Sequence, residues 1–175
     1  EMFLTAVTTS YDPHTTYMSP TTLENFEIQM RLNLDGIGAQ LTLEDGYTNI
    51  TKIITGGAAD QQGDLTVKDR IVSVGQGADG EMVDVIDMKL NDVVAKIRGK
   101  AGTTVRLGII HDGSAETVEV KIVRAKIQLR DSEAKGKIIE HQLGADSKTY
   151  KVGIINLPSF YMDMEAARKG VKDYR

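Results

Sequence analysis

The stretch Gly36-Ile37-Gly38-Ala39-Gln40-Leu41-Thr42-Leu43-Glu44-Asp45-Gly46 decides how this chain is read. Ile37, Ala39, Leu41 and Leu43 alternate with Gly38, Gln40, Thr42 and Glu44, the period of two that marks a half-buried strand. Asp45-Gly46 follows at once as a two-residue hairpin signal, because both central positions of that turn need positive φ. Residues 47–55 then read as the return strand. At the entrance, glycines at alternate positions let the backbone of Gly36-Ile37-Gly38-Ala39 turn so that the N–H groups of Ile37, Gly38 and Ala39 point into one concavity. Such a nest holds an anion without any charged side chain. A peptide carboxylate captured there can continue as an added strand along residues 38–42. The four residues taken alone fit a plain glycine turn before a strand equally well.

Downstream, Gly56-Gly57 breaks the return strand, and residues 58–62 form one helical turn closed by Gly63. A strand at 70–74 ends in the glycines 75, 77 and 80, and a short apolar piece follows at 82–85. Residues 88–98 carry the clearest helical pattern, with Leu90, Val93, Val94 and Ile97 at i, i+3, i+4 and i+7. Asp87 is placed to cap its N-terminus, Lys96 and Arg98 suit the dipole at its end, and Gly99 supplies the residue after the cap. Strands at 104–110 and 116–123 are joined by the Asp112-Gly113-Ser114 turn. Residues 124–155 read as one or two strands with a charged surface, 152–157 as a further strand, and 162–169 as the start of a helix. Upstream, residues 1–33 are helical but interrupted. Pro13 pushes its predecessor out of the helical region, and Ser19-Pro20 restarts the helix as N-cap and first residue. The order is mixed, hairpin strands with two helices between them, and the fold class is α+β.

With 175 residues, 21 basic and 25 acidic side chains and a net charge of −4, the chain fits one domain and a short appendage. Its hydrophobic content of 41% is that of a globular protein. No stretch approaches the ~18-residue apolar run of a membrane span, so no integral membrane segment is expected. Three Phe, six Tyr, no Trp and the acidic balance argue against nucleic acid as a partner. Zero cysteines exclude disulfides, thiolate metal sites and cysteine nucleophiles, and leave the compartment open. The opening on Glu1-Met2-Phe3-Leu4 and the helix running out at Arg175 suggest a piece of a longer protein. The lack of a targeting segment therefore says nothing about location.

Other motifs yield to their context. Gly75-Gln76-Gly77-Ala78-Asp79-Gly80 matches G-x-G-x-x-G after a strand, but a strand-like acidic stretch follows it in place of the helix a dinucleotide needs. It is read as a turn. Ser132-Glu133-Ala134-Lys135 spells S-x-x-K, yet its companion motifs are missing and its flanks are charged, so it is read as a solvated loop or edge strand. His14, His111 and His141 form no metal-ligand spacing and are read as surface or capping histidines. Asn49-Ile50-Thr51 is a sequon within a strand. No metal site, cofactor or catalytic constellation is expected.

A G-Φ-G-Φ loop leading a strand, followed by a helix with Leu90, Val94 and Ile97, resembles a PDZ domain. Three further stretches narrow the likeness. Tyr11-Asp12-Pro13-His14-Thr15 with Tyr17 and Ser19-Pro20 resembles the segment before the PDZ module of bacterial tail-specific proteases, the C-terminal processing peptidases. Val67 to Gly75 resembles their "hGDrIvsVg" strand, with Lys68 where glycine is usual, and Asp92 to Gly99 with Gly102-Thr103 resembles their "dvVxxIRGxxGt" helix and exit. Val152 to Tyr161 is similar to the first strand of their protease core.

The resemblance implies a PDZ-like, partly open β-barrel with two helices over residues 34–124, a helical segment at 1–33, and linker strands with the start of a protease core at 125–175. It implies a serine endopeptidase with a serine–lysine dyad acting on nonpolar C-termini in the periplasm. Both dyad residues lie downstream of the first core strand in that family, so no catalytic residue is assigned here, and Ser132 and Lys135 do not stand in for them. Substrate C-terminal tails are the implied partners. An adaptor lipoprotein docking on the module, in a regulatory role, is the alternative. The peptide site is placed on Gly36, Ile37, Gly38, Ala39 and Leu41 with Leu90, Val94 and Ile97 opposite. Gly38→Val is expected to block the close backbone approach while the fold survives.

Overall fold

The structure is a computed structural model that describes residues 1–142 and 149–171. In chain order the elements are α1 (Met2–Tyr11), α2 (Pro20–Arg31), β1 (Asn33–Gly36), β2 (Ala39–Glu44), β3 (Tyr47–Ile53), α3 (Ala58–Gln62), β4 (Arg70–Gln76), β5 (Met82–Asp84), α4 (Leu90–Ile97), β6 (Thr104–Ile110), β7 (Thr117–Val123), β8 (Ala125–Gln128), a 3₁₀ turn (Arg130–Ser132), β9 (Lys135–Gln142), β10 (Thr149–Asn156) and α5 (Met164–Arg168). Two compact units divide them: Asn33–Gln128, and Glu1–Leu32 with Leu129–Arg175. The boundaries expected at 33/34 and 124/125 therefore shift. The second shift has a clear cause, since Ala125–Gln128 pair antiparallel with β1 and belong to the same unit.

Six strands of the 33–128 unit form one open sheet in the order β2-β3-β4-β6-β7, with β5 paired to β4. Strands β2 and β7 are its edges, and β1-β8 forms a separate two-stranded ribbon. The β2–β3 hairpin turns at Asp45 (φ 51°) and Gly46 (φ 79°), the double positive-φ turn that the dipeptide signalled. Between Gln40 and Leu41 the register slips by one residue, and Thr51 is left unmatched on β3. The core is aliphatic. Ile50, Ile71, Val74, Val85, Val93, Val105, Leu107, Ile109 and Ile122 are almost wholly buried in one cluster. Ala39, Leu41 and Met88 are packed against it.

Sequence periodicity located α4, but its N-terminus differs from expectation. The helix begins at Leu90 after Lys89, and no side chain caps it. Asp87 instead takes positive φ (58°) and donates its amide to Gly46 O at 2.8 Å. The G-x-G-x-x-G stretch is a turn, closed by Gly80 N donating to Gln76 O at 3.1 Å. Gly80 has no room for a side chain, since an added Cβ would lie 2.2 Å from Gln76 O.

In the other unit, Ser19 caps α2 by accepting from Thr22 N, with Pro20 as first helical residue. α2 ends on Leu32 in the left-handed region (φ 52°). β9 and β10 pair antiparallel as a ribbon. Asp163 caps α5 by accepting from Glu165 N and Ala166 N, and Met162 N donates to Met30 O at 2.8 Å. Ser132 is half-buried in the 3₁₀ turn, and Lys135 is an exposed strand residue.

Candidate peptide-binding groove

The loop at residues 36–39 is built by what its carbonyls do. Ile37 O accepts from Ala59 N at the start of α3, and Gly38 O accepts from Ile54 N just beyond β3, both at 2.8 Å. In a trans peptide the following N–H points opposite to the C=O. The amides of Gly38 and Ala39 are therefore aimed away from α3 and β3, toward the open edge of β2. No backbone carbonyl among the described residues accepts from the amide of Ile37 or Gly38. Gly38 takes φ +81°, and a Cβ there would lie 3.1 Å from Gly57 Cα and 3.2 Å from Ile127 Cδ1. The left-handed conformation and the close backbone approach both demand glycine. The expectation that Gly38→Val spares the fold is therefore withdrawn.

α4 lies against β2 and β4. Its last turn is beside the loop: a Cβ on Gly36 would lie 4.0 Å from Arg98 Cγ, and Asp35 Oδ2 accepts from Ala101 N at 3.2 Å. Its start is tied to the hairpin through Asp87 and Gly46. The helix thus runs antiparallel to β2. The free edge of β2 and the half-buried face of α4 therefore lie side by side, starting at the glycine loop.

The residues read from sequence divide by depth. Ala39, Leu41, Leu90 and Val94 are half-buried, the accessible apolar surface of β2 and α4. Ile37 and Ile97 are 4% and 3% exposed and belong to the core cluster beneath. Gly36 and Gly38 are buried.

Sequence reasoning passed over Arg124. It is 4% exposed, and burial pulls its pKa down from the usual guanidinium value. Nε donates to Ile97 O at 2.8 Å, and Nη2 to Lys96 O at 3.1 Å and to Gln76 Oε1 at 2.7 Å. Nη1 reaches Thr103 Oγ1 at 3.0 Å and Thr104 O at 3.3 Å. A signal was present in the alternation, because Val120, Ile122 and Arg124 all face inward at a period of two. His111 is likewise no lone surface histidine. Its Nδ1 lies 3.0 Å from Oδ1 of the fully buried Asp69, which also accepts from the Thr66 amide and hydroxyl. Among the described residues no cluster of His, Asp and Glu is placed to hold a metal, and no helix is long and apolar enough to cross a membrane.

An open sheet with one edge strand beside a helix, entered through a glycine loop with outward amides, defines a PDZ domain, and that family matches residues 25–110. The PDZ domain of the carboxy-terminal protease of Vibrio cholerae, solved in complex with a peptide, is 41% identical. It aligns with a TM-score of 0.54 over 56% of this chain and 100% of its own. The tail-specific protease of Haemophilus influenzae is 35% identical over 164 residues, 94% of this chain and 23% of that protein. The carboxy-terminal processing protease CtpB of Bacillus subtilis is 32% identical over 139 residues, 79% of this chain and 28% of its own length. The chain belongs to the carboxy-terminal processing protease family and carries its PDZ domain. It spans about a quarter of the length of these curated relatives. A photosystem II D1 C-terminal processing protease matches 95% of the chain at a TM-score of 0.50 with 20% identity, a likeness of fold.

Proposed function

We propose that this chain is the peptide-recognition part of a periplasmic tail-specific serine protease. It takes nonpolar C-termini of substrate proteins by strand addition to β2, with the carboxylate at the amides of Ile37, Gly38 and Ala39. The orientation of the loop carries the reading: the Ile37 and Gly38 carbonyls are engaged on one side, which leaves the following amides directed at the free edge. The terminal side chain of the peptide enters between Ala39, Leu41 and Val94. The small Ala39 leaves room for several nonpolar termini. The chain presents tails for cleavage and does not itself hydrolyse them.

Burying one apolar side chain contributes roughly 1.5–3 kcal/mol, and ordering the flexible tail offsets part of the gain. Affinity is then micromolar, about −8 kcal/mol. The test is a fluorescence titration of the chain with a labelled peptide ending in a nonpolar residue, as free acid and as C-terminal amide. The acid is expected to bind clearly tighter. Equal affinities would reduce residues 36–39 to a turn.

A further inference from the structure

The direction of α4 sets the groove an electrostatic problem. The C-terminal end of a helix carries about half a negative charge on its unpaired carbonyls. Here that end lies beside the glycine loop, as the approach of Arg98 to Gly36 and of Ala101 to Asp35 shows. A carboxylate held at the loop amides would face a charge of its own sign.

The carbonyls responsible are not left open. Arg124 Nε covers Ile97 O at 2.8 Å, and Lys96 O receives both Arg124 Nη2 at 3.1 Å and Gln76 Nε2 at 2.7 Å. Gly99 makes the approach feasible, since a Cβ there would lie 3.0 Å from Arg124 Cζ and Nε. No ion pair joins Arg124 to a carboxylate among the described residues; its partners are backbone oxygens, Thr103 and Gln76. An arginine keeps its proton in a protein, so its charge is not cancelled by a neighbouring acid. Arg124 also immediately precedes Ala125, the register partner of Gly36. The cation is thereby tied both to the helix end and to the strand that backs the loop.

We propose that Arg124 is a positioning residue for carboxylate recognition, capping α4 and replacing the negative end of the helix with a positive field beside residues 36–39. The proposal rests on the reading of that loop as the carboxylate site. It separates two roles that a buried arginine could have. A purely structural Arg124 would affect every peptide alike, whereas a charge-setting one acts on the free acid and not on the amide.

The experiment therefore measures the ratio of acid to amide affinity in the 175-residue chain and its variants, with folding checked by circular dichroism. Arg124→Met is expected to lower that ratio by about tenfold while the amide affinity holds. Arg124→Lys, which keeps the charge with fewer donors, should retain most of the ratio. Should Arg124→Met fail to fold, Gln76→Met at an exposed position removes one of the two donors on Lys96 O and one of the two acceptors of Arg124 Nη2, and the ratio should fall about two- to threefold. An unchanged ratio in the folded variants overturns the proposal. A ratio of one in the unaltered chain would instead sink the carboxylate reading of the loop, and this proposal with it.

Discussion

In the 33–128 unit, strands β4 and β6 bury Ile71, Val74, Val105, Leu107 and Ile109 to 2% exposure or less. In the other unit β10 exposes all eight of its residues, and Ile138, Ile155 and Phe160 are 73–85% exposed. Both units have hydrogen-bonded helices and paired strands, so backbone hydrogen bonding does not distinguish them. Burial does. Apolar area removed from water is the main favourable term in folding, and a two-stranded ribbon without a packed face is marginal by itself. The proposed peptide site is thus mounted on a unit with its own core. Among the described residues of the flanking unit only Ile28 and Leu32 are buried apolar side chains, and the rest of its order rests on caps, turns and the β9–β10 ladder.

The largest expected contrast is in hydrogen exchange. Amides of β4 and β6 should open only with global unfolding of their unit, whereas those of α1 and β10 should exchange through local opening. Protection should differ by at least about a thousandfold. Similar protection in β6 and β10, measured by exchange and mass spectrometry, would show that burial is the wrong criterion for dividing this chain.

Next in size is Gly38→Val. A β-branched residue at φ +81° is an outlier, and the added atoms would press on Gly57 Cα and Ile127 Cδ1. Left-handed strain of 1–2 kcal/mol and overpacking of 1–3 kcal/mol give a loss of about 2–5 kcal/mol in a urea titration. By contrast, Gly153→Ala in the flanking ribbon meets nothing within 4 Å and should cost less than about 1 kcal/mol. A Gly38→Val chain as stable as its parent would mean that the loop relaxes, and with it that the nest is not a fixed shape.

What could be read from sequence follows the same divide. Period-two alternation and the Asp45-Gly46 turn placed β2 and β3 because both signals are local and the sheet agrees with them. The α4 stripe was legible for the same reason. Its capping was not: Asp87 looked like an N-cap, but the hairpin claims it through Gly46 O, a contact 41 residues away that local pattern cannot show. The half-buried apolar positions of β2 and α4 were legible, although depth was not, since Ile37 and Ala39 share one alternation in sequence while Ile37 lies in the loop before β2 and packs into the core. Arg124 escaped because its meaning lies in carbonyls 27 and 28 residues away on a helix. The 125–128 strand was assigned to the linker for a related reason. Its partner is β1, at the other end of the unit.

A smaller effect is expected at two non-glycine residues in the left-handed region, one in each unit. Lys68 has φ +76° with its amide donating to Ile50 O at 2.7 Å, and among the described residues its side chain makes only an exposed ion pair with Asp112 at 3.8 Å. Lys68→Gly relieves about 1–2 kcal/mol of strain, loses little from a surface pair, and gives back part through unfolded-state entropy. A net gain of about 0.5 kcal/mol in thermal unfolding is expected. Leu32 has φ 52° but is 4% exposed. Leu32→Gly removes a buried side chain and should lose about 2–4 kcal/mol despite the same backbone relief. Opposite signs at the two positions would show that side-chain burial, not backbone strain, governs left-handed residues in this chain. A loss at Lys68 would show that its turn needs the side chain.

The smallest effect belongs to the Glu165–Lys169 pair on α5, one turn apart with Nζ 2.6 Å from Oε1 and both side chains exposed. The Lys169 hydrogen bond and charge hold the Glu165 carboxyl below its usual range, and Glu165 raises Lys169 in turn. A carboxylate whose pKa is lower in the folded state favours folding above its unfolded pKa. That contribution is lost as pH falls through the folded value. The pair therefore acts at neutral pH and fades in acid, while the raised Lys169 loses its share only at alkaline pH. Exposed pairs contribute little to stability and are screened by salt. The expected result for Lys169→Gln is thus an upward move of the Glu165 titration midpoint by NMR, with almost no change in the thermal transition at neutral pH. A marked loss of stability would mean that the flanking unit leans on its surface charges far more than its exposed apolar side chains suggest.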